Sequence, residues 1–156
     1  MASSRLDARG LIVPCPSCGA ANRLTFGTLG QATRCGKCHT DLGAPDSPVE
    51  LPTSALFDAV VRHSRLPVLV DFWAAWCGPC RVVAPQVEIV ARRNAGRLLV
   101  TKVDTDAVAD LSARLGIRSI PTLAVYEGGE QVARTAGAMA ADQIEAFVRG
   151  VVADGD

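Results

Sequence analysis

Six cysteines, the whole complement of this 156-residue chain, form three pairs with two residues between the partners. The pairs stand in "CPSCG" (15–19), "CGKCH" (35–39) and "WCGPCR" (76–81). Two thiols at this spacing can hold a metal ion together or exchange electrons as a dithiol. The residues around each pair differ, and they predict one metal site and one redox-active dithiol.

The first two pairs have the spacing C-x2-C-x16-C-x2-C, which is typical of a zinc site. Each tight turn can present two thiolates, and two turns complete the tetrahedral shell that zinc prefers. A closed shell leaves no open position for hydrolysis, so we predict one structural zinc ion per chain. Its predicted ligands are Cys15, Cys18, Cys35 and Cys38.

Other chemistry is open to these four residues. Two local disulfides or four reduced thiols would suit the same sequence, and iron also accepts four thiolates. His39 is a further possible ligand, but the four cysteines already fill the shell. Zinc is the interpretation that the spacing favours most.

The third pair, Cys77 and Cys80, lies where a predicted strand ends and a predicted helix begins. Free backbone amides and the helix dipole at that position stabilise a thiolate and lower the pKa of a thiol. Cys80 follows three residues later on the same helical face, so one sulfur can attack while the other waits. The alternatives are two inert core cysteines or two ligands of another metal.

The elements that position this pair form a βαβ unit. An apolar run at 67–73 predicts a buried strand, residues 78–94 predict a helix and 97–104 a second strand. Helices are also predicted from Thr53, at 107–116 and near the C-terminus, and Gly128-Gly129 indicates a hairpin. The chain is therefore predicted to be an α/β protein.

The N-terminal part differs from the rest of the chain. Residues 5–41 show little periodicity, and a unit this short needs a metal or disulfides for stability. The stretch "LGAPDSPVELP" (42–52) reads as a linker because it is rich in proline. We predict a zinc-binding domain with its linker at 1–46 and a second domain at 47–156.

Charge and composition exclude several classes of function. The chain is 49% hydrophobic and carries no net charge, which gives no electrostatic reason for binding nucleic acid or an anionic membrane. The N-terminus has no apolar stretch of signal-peptide length. The expected location is the reducing cytoplasm, where paired cysteines serve metal binding or catalysis more often than structural disulfides.

The stretch "VDFWAAWCGPC" (70–80) resembles the active-site motif of the thioredoxin family. The resemblance continues through "KVD" (102–104), "GIRSIPT" (116–122), "YEGGE" (126–130) and Gly137, and covers about residues 49–152. Together with the N-terminal pairs it resembles the zinc-binding branch called thioredoxin 2. It implies a thioredoxin fold, a central mixed sheet flanked by helices, with a small zinc-ribbon-like domain in front. Arg81 and Ser119 stand where lysine and glycine are common in the family.

The resemblance implies a protein-disulfide reductase with Cys77 as nucleophile and Cys80 as resolving cysteine. It also implies disulfide-containing proteins as substrates and thioredoxin reductase as the partner that resets the pair. NADPH is then the ultimate donor and the flavin belongs to the reductase, so no tightly bound organic cofactor is expected. The chain is expected to act as a monomer.

Two charged residues are candidates for proton transfer. Asp71 lies inside an apolar strand, where burial would raise its pKa and let it exchange a proton with Cys80, the role the family gives the matching residue. The alternative is an acid facing solvent at the strand end. Lys102 matches a family lysine near that aspartate and would tune it, or else it is a solvated surface lysine.

The apolar contact surface around the nucleophile is also implied by the resemblance. In the family the main chain beside the loop proline, here Pro121, pairs with a substrate strand. The predicted contact residues are Trp76, Gly78, Pro79, Ile120 and Pro121.

A second class of function is a redox-sensing zinc module or chaperone, in which oxidation of the zinc thiolates releases the metal. An oxidase or isomerase would need an oxidising compartment. A nucleic-acid-binding zinc ribbon is the weakest alternative, because the charge is balanced and aromatic residues are few.

Overall fold

The computed structural model describes residues 5–152, so the ends of the two predicted domains, residues 1–4 and 153–156, lie outside the described residues. Two sheets are present, one of three strands and one of five. The strands are β1 (Arg5–Asp7), β2 (Gly10–Pro14), β3 (Ala21–Thr25), β4 (Val49–Glu50), β5 (Val68–Trp73), β6 (Leu99–Asp104), β7 (Thr122–Glu127) and β8 (Glu130–Ala136). The α-helices are α1 (Ser54–His63), α2 (Gly78–Arg93), α3 (Ala109–Leu115) and α4 (Ala141–Arg149).

The five-stranded sheet is mixed, as predicted, with the strand order β4-β6-β5-β7-β8. Strands β4, β5 and β6 are parallel, whereas β7 runs antiparallel to β5 and to β8. The predicted βαβ unit is confirmed as β5-α2-β6, and its bounds differ from the prediction by no more than two residues at any end.

Alternation along β5 divides the core into two layers. Val68, Val70 and Phe72 pack with α1 and α3 on one face of the sheet, in a cluster that includes Phe57. Leu69 packs with α2 and α4 on the other face. Because side chains alternate along a strand, Asp71 and Trp73 share the face of Leu69, under α2.

Local signals in the sequence set the element ends. Thr53 caps α1, since its Oγ1 accepts a hydrogen bond of 3.1 Å from the N–H of Leu56. Gly116 ends α3 in the left-handed conformation, with φ of 67°. Gly128 and Gly129 have φ of 64° and 87° and turn β7 into β8, as the hairpin prediction requires.

The N-terminal segment, residues 5–46, contains the antiparallel sheet β1-β2-β3, which the sequence did not reveal. Leu11 and Leu24 are buried, and they face each other across β2 and β3. The strands have at most five residues. Such short strands carry too few alternating positions for a recognisable period.

The N-terminal segment packs against the layer of the larger sheet that contains α1 and α3. Leu11, Leu24, Phe26 and Leu29 belong to the same buried cluster as Phe57. Beside them, the N–H of Arg65 donates to the Phe26 carbonyl at 2.9 Å and its guanidinium donates to the Leu29 carbonyl at 3.3 Å. The two parts of the chain therefore share one hydrophobic core.

The approach is closest at Gly30. A Cβ at this position would lie 2.7 Å from the Gly96 carbonyl oxygen, and the φ of Gly30 is +86°. Both facts require glycine here.

The predicted linker is only partly a linker. Its last part forms β4, which pairs with β6 at the sheet edge, and the N–H of Leu51 donates to the Lys102 carbonyl at 2.8 Å. Val49 and Leu51 are buried on either side of Glu50. Flanking prolines obscured this apolar-polar-apolar pattern, because proline is depleted in strands.

Among the helices of residues 5–152, none combines the length and hydropathy that crossing a membrane would require.

Candidate active site and metal-binding cluster

Cys77 and Cys80 lie at the start of α2, where Cys77 is the N-cap residue. The Cys77 sulfur accepts a hydrogen bond of 3.2 Å from the N–H of Cys80. The two sulfurs form a disulfide with the Cα atoms 5.3 Å apart. Gly78 and Pro79 complete the first turn and are exposed, whereas Cys77 and Cys80 themselves are 3% and 4% exposed.

The other predicted contact residues surround this helix end. The Cys77 sulfur lies 3.8 Å from the Ile120 carbonyl oxygen, and the Ile120-Pro121 peptide bond is cis. The Trp76 side chain is 69% exposed, while its indole N–H donates to Asp106 at 2.9 Å. The structure brings together all five residues predicted for the contact surface.

A further exposed apolar residue, Val82, was not singled out from the sequence. It is 64% exposed, although it is aliphatic and lies two residues after Cys80 on α2. The signal was available, because the helical period puts Val83 and Val87 on the buried face and leaves Val82 off it.

Asp71 is buried, with 1% of its surface exposed, so the alternative of a solvent-facing acid is wrong. Neither carboxylate oxygen has a hydrogen-bond partner among the described residues. Burial raises the pKa of Asp71 to about 6; the Lys102 charge opposes this shift and the Glu50 charge adds to it. A carboxyl with this pKa can take up and release a proton near neutral pH.

Lys102 is neighbour to Asp71 in the sheet register and half-buried. Its Nζ lies 4.9 Å from the centroid of the Trp73 ring, a cation-π arrangement. The Trp73 indole N–H in turn donates to Glu50 at 3.3 Å. Glu50 was not predicted, because it lies in the stretch that reads as a linker.

A cavity of about 280 Å³ opens between the start of α2 and the sheet. It is lined by Cys80 and Lys102 as well as Trp73, Ala74, Ala75, Arg81 and Ala84. The second cysteine of the pair and the lysine beside Asp71 therefore border the same space.

The four N-terminal cysteines form a single cluster. Their sulfur atoms all lie within 4.8 Å of one another. Cys15 and Cys38 approach to 3.5 Å and Cys18 and Cys35 to 3.6 Å, so each close contact joins one pair to the other. Such an arrangement is positioned to hold one metal ion, and His39 is not a member of it.

Two knuckles (residues 15–20 and 35–40) carry this cluster, and their backbones are nearly the same. The N–H of the first cysteine donates to the carbonyl five residues on, at 2.8 Å in both knuckles. The residue after the second cysteine has a positive φ, 77° at Gly19 and 64° at His39. His39 therefore serves the turn of the second knuckle.

Backbone and side-chain donors point at the sulfurs. The N–H of Cys38, the Asn22 amide and the N–H of Lys37 lower the pKa of Cys35 to about 5. At Cys18 the N–H of Ala20 also favours the thiolate, but desolvation and the neighbouring sulfurs prevail and raise the pKa to about 12. The donors around Cys35 therefore favour its thiolate, which is the form that binds a metal ion.

Comparisons with known proteins agree with this geometry. The family model for thioredoxin matches residues 48–150. Thioredoxin C-3 of Corynebacterium nephridii is 43% identical over 129 residues, which is 83% of this chain and 87% of that protein. This match is longer than residues 48–150, so it takes in part of the N-terminal segment. Thioredoxin 1 of a Nostoc species is 48% identical over 87 residues, 56% of this chain and 81% of that protein.

Solved structures give the same result. A mutant thioredoxin from Halobacterium salinarum NRC-1 superposes with a TM-score of 0.64 at 32% identity, covering 70% of this chain and 95% of that one. Plasmodium falciparum thioredoxin gives a TM-score of 0.60 at 30% identity, with 67% and 99% covered. The chain belongs to the thioredoxin family of thiol-disulfide oxidoreductases.

Proposed function

We propose that this protein reduces disulfides in other proteins of the cytoplasm by dithiol exchange through Cys77 and Cys80. The observation that carries the proposal is the position of Cys77, which caps α2 beside an exposed apolar surface. The helix N-terminus favours the Cys77 thiolate once the pair is reduced. Attack on a protein disulfide requires a thiolate and, beside it, a surface that can bind the substrate protein.

The reaction then has two steps. The Cys77 thiolate attacks one sulfur of a substrate disulfide, forms a mixed disulfide and releases the other substrate sulfur as a thiolate. Asp71 takes the Cys80 proton, and the Cys80 thiolate attacks the Cys77 sulfur. The substrate leaves fully reduced, and its two electrons come from the dithiol, which becomes the 77–80 disulfide. Lys102 stabilises the carboxylate of Asp71 during this transfer.

Substrate recognition uses the surface formed by the helix end and the cis-proline loop. We assign substrate contact to Trp76, Gly78, Pro79, Ile120 and Pro121, with main-chain pairing beside Pro121. The Ile120 carbonyl oxygen lies 3.8 Å from the Cys77 sulfur, so this part of the loop lies beside the reacting disulfide. We assign the resetting of the oxidised pair to thioredoxin reductase, with NADPH as donor, and expect the protein to act as a monomer.

We assign one structural zinc ion to the four N-terminal cysteines. Sulfurs at Zn–S distances of about 2.3 Å in a tetrahedron lie about 3.8 Å apart. The two contacts between knuckles, 3.5 and 3.6 Å, suit that spacing. Donors around the cluster suit thiolate ligands, including the N–H of Ser17 toward Cys15 and the Asn22 amide toward Cys35. When bound, the zinc would fix the two knuckles together and supply no open coordination position.

The boundary between the two proposed domains, 1–46 and 47–156, falls before β4. Their shared core argues that they fold as partners. Removing residues 1–46 would take away Phe26 and Leu29 and expose the α1 surface that they cover. Loss of activity after such a truncation would therefore reflect stability as well as chemistry.

The experiment that tests the proposal combines zinc content with a free-thiol count. Wild type and the double variant Cys77→Ser/Cys80→Ser are purified with reductant and then mildly oxidised. We expect one zinc per chain in both proteins, and the loss of two thiols in wild type only. Reduction of insulin disulfides should occur only with the wild type. Loss of zinc in the double variant, or equal oxidation of the N-terminal thiols, would contradict the proposal.

A second candidate function is a redox-sensing zinc module or chaperone. The observation that favours it is the exposure of Cys18 and Cys38, which an oxidant can reach. Loss of zinc would loosen the segment that carries Phe26 and uncover apolar surface. Suppression of a client protein's aggregation that appears only after oxidation and zinc loss would support this function.

A further inference from the structure

Three charged side chains lie in one row across the five-stranded sheet. Lys102 on β6 pairs in register with Asp71 on β5 and with Glu50 on β4. Residues in register on neighbouring strands project to the same face of a sheet. One lysine therefore stands between two carboxyl groups, on the face that α2 covers.

Within this row Glu50 accepts a hydrogen bond and Asp71 does not. Glu50 accepts the Trp73 indole N–H at 3.3 Å, and the Lys102 ammonium lies over the same Trp73 ring. Asp71, by contrast, has no hydrogen-bond partner for either oxygen among the described residues. Glu50 thus holds the Trp73 ring over which the Lys102 ammonium lies.

We propose that Glu50 is a positioning residue for disulfide exchange, whose negative charge beside Lys102 and Trp73 makes Asp71 a stronger base toward Cys80. The inference rests on the proposed function, because it assumes that Asp71 takes the Cys80 proton. Glu50 touches neither the substrate nor the reacting sulfurs and acts through its neighbours.

The groups that face Asp71 come from every element packed against it. Strand β6 provides Lys102 and β4 provides Glu50, while β7 places the apolar Leu123 in register with Asp71. Helix α2 provides Cys80 and Arg81, which line the same cavity as Lys102. Burial raises the pKa of Asp71 most; the Lys102 charge lowers this pKa and the Glu50 charge raises it further. Desolvation raises the pKa of Glu50 itself, with the Trp73 hydrogen bond and Lys102 opposing it.

A charge at Glu50 should matter in the second step of the reaction only. In that step the Cys80 proton passes to Asp71, the Cys80–Cys77 bond forms, and the bond between Cys77 and the departing thiolate breaks. A stronger base removes the Cys80 proton more readily. The first step depends on the Cys77 thiolate, which Glu50 does not contact.

The test separates the two steps with dithiobis-nitrobenzoate, whose thiolate is coloured. Reduced protein attacks this disulfide through Cys77 and releases one thiolate at a rate set by reagent concentration. Cys80 then releases the second thiolate at a rate independent of concentration. Stopped-flow absorbance follows both releases, over a range of pH, for wild type, Glu50→Gln and the control Glu130→Gln on β8, at the opposite edge of the sheet.

Glutamine keeps an oxygen that can accept the Trp73 N–H and removes only the charge. We expect the second release in Glu50→Gln to be about two- to fivefold slower at neutral pH, with the acid limb of its pH profile moved to lower pH. The first release should be unchanged, which also shows that the variant is folded. The Glu130→Gln variant should match wild type in both phases.

A double-variant cycle tests whether Glu50 acts through Asp71. In an Asp71→Asn background the further change Glu50→Gln should have no effect on the second release. An unchanged second release in Glu50→Gln, or an equal slowing in the Asp71→Asn background, would overturn the inference. A wild type that gives no first release would overturn the proposed function itself, and so the two failures are distinguishable.

Discussion

The knuckles and the start of α2 use the same cysteine spacing in different backbones. In each knuckle the residue after the second cysteine, Gly19 or His39, has a positive φ and turns the chain back. After Cys80 the chain continues as α2. In the knuckles the sulfurs approach those of the other knuckle, whereas in α2 they bond to each other. The backbone that follows a pair therefore distinguishes the pairs whose sulfurs cluster with another pair from the pair whose sulfurs bond to each other.

The largest effect should come from the redox pair. Replacing Cys77 with serine removes the sulfur that attacks the substrate, so insulin reduction should fall to background. Zinc content should remain one per chain, because the N-terminal cluster does not contain Cys77. The insulin assay measures the loss of reduction, and metal analysis of the same protein measures the zinc content. Residual reduction well above background would show that the N-terminal thiols also do redox chemistry.

The reciprocal change is Cys35→Ser. It removes one of the four sulfurs. A complete structural zinc site in a small domain binds the ion with about 10–16 kcal/mol, and a site with three sulfurs binds it more weakly. The zinc content should therefore fall from one per chain toward zero after dialysis against a chelator. The exchange rate of Cys77 with dithiobis-nitrobenzoate should stay within about twofold of wild type. A large loss of that rate at a temperature where the chain is folded would mean that the two sites are coupled.

The shared core can be probed with Phe26→Ala. Phe26 is 2% exposed and packs in the cluster that includes Phe57, so the change should cost about 3–5 kcal/mol of unfolding free energy. Denaturant unfolding followed by tryptophan fluorescence reports this, because Trp73 and Trp76 both lie in the larger part of the chain. Phe147→Ala is the size-matched control. Phe147 is a half-buried residue of α4, so its replacement should cost less unfolding free energy. No change in the tryptophan transition would contradict a common core.

Asp71 should make stability depend on pH. Its folded pKa of about 6 lies above the ordinary 3.8, so the carboxyl destabilises the fold when ionised. The protonated carboxyl carries no such penalty, so the fold is at its most stable, as far as Asp71 is concerned, below the unfolded pKa of 3.8. That stability is lost as the pH rises through the folded pKa of about 6. Asp71→Asn should therefore be more stable than wild type by about 3 kcal/mol above pH ~7, relative to their difference near pH ~4. Denaturant titrations at several pH values measure this, and a constant difference would contradict it.

The smallest effect concerns the two knuckle turns. His39 holds a φ of 64°, which costs a residue with a side chain about 1 kcal/mol. His39→Gly should stabilise the segment by up to that amount, whereas Gly19→Ala should destabilise it by a similar amount. Competition with a colorimetric zinc chelator would measure both changes. Equal effects of the same sign would show that the knuckles are not alike.

The sequence predicted the parts of the fold that rest on local pattern. The apolar run at 67–73, the helical stripe of α2 and the glycine pair of the hairpin each indicate one element. The cysteine spacing likewise pointed to the cluster that the structure brings together. Residue types and short spacings were sufficient there because the interacting groups are close in sequence.

The features that the sequence did not reveal depend on distant partners. Strands β1 to β3 are short, and β4 has two residues and exists through pairing with β6, which lies far along the chain. Glu50 gains its significance from the register that aligns it with Lys102 and Asp71. The packing of Phe26 against the α1 layer follows from docking of one segment onto another. These relations leave little periodic trace in the segments concerned, and the short alternation of Val49, Glu50 and Leu51 is hidden by the prolines beside it.

The docking position of the N-terminal segment has a consequence for how such proteins can change over evolution. Arg65 and Gly96, which meet the segment, lie before β5 and β6, whereas Cys77 follows the far end of β5. An appended module at this end leaves the opposite end free for partners of any shape. A module at this end could be gained or replaced without altering the residues around Cys77, whereas its loss would uncover the α1 surface that Phe26 and Leu29 cover. The same end is where an engineer should attach a fluorescent tag or a tether.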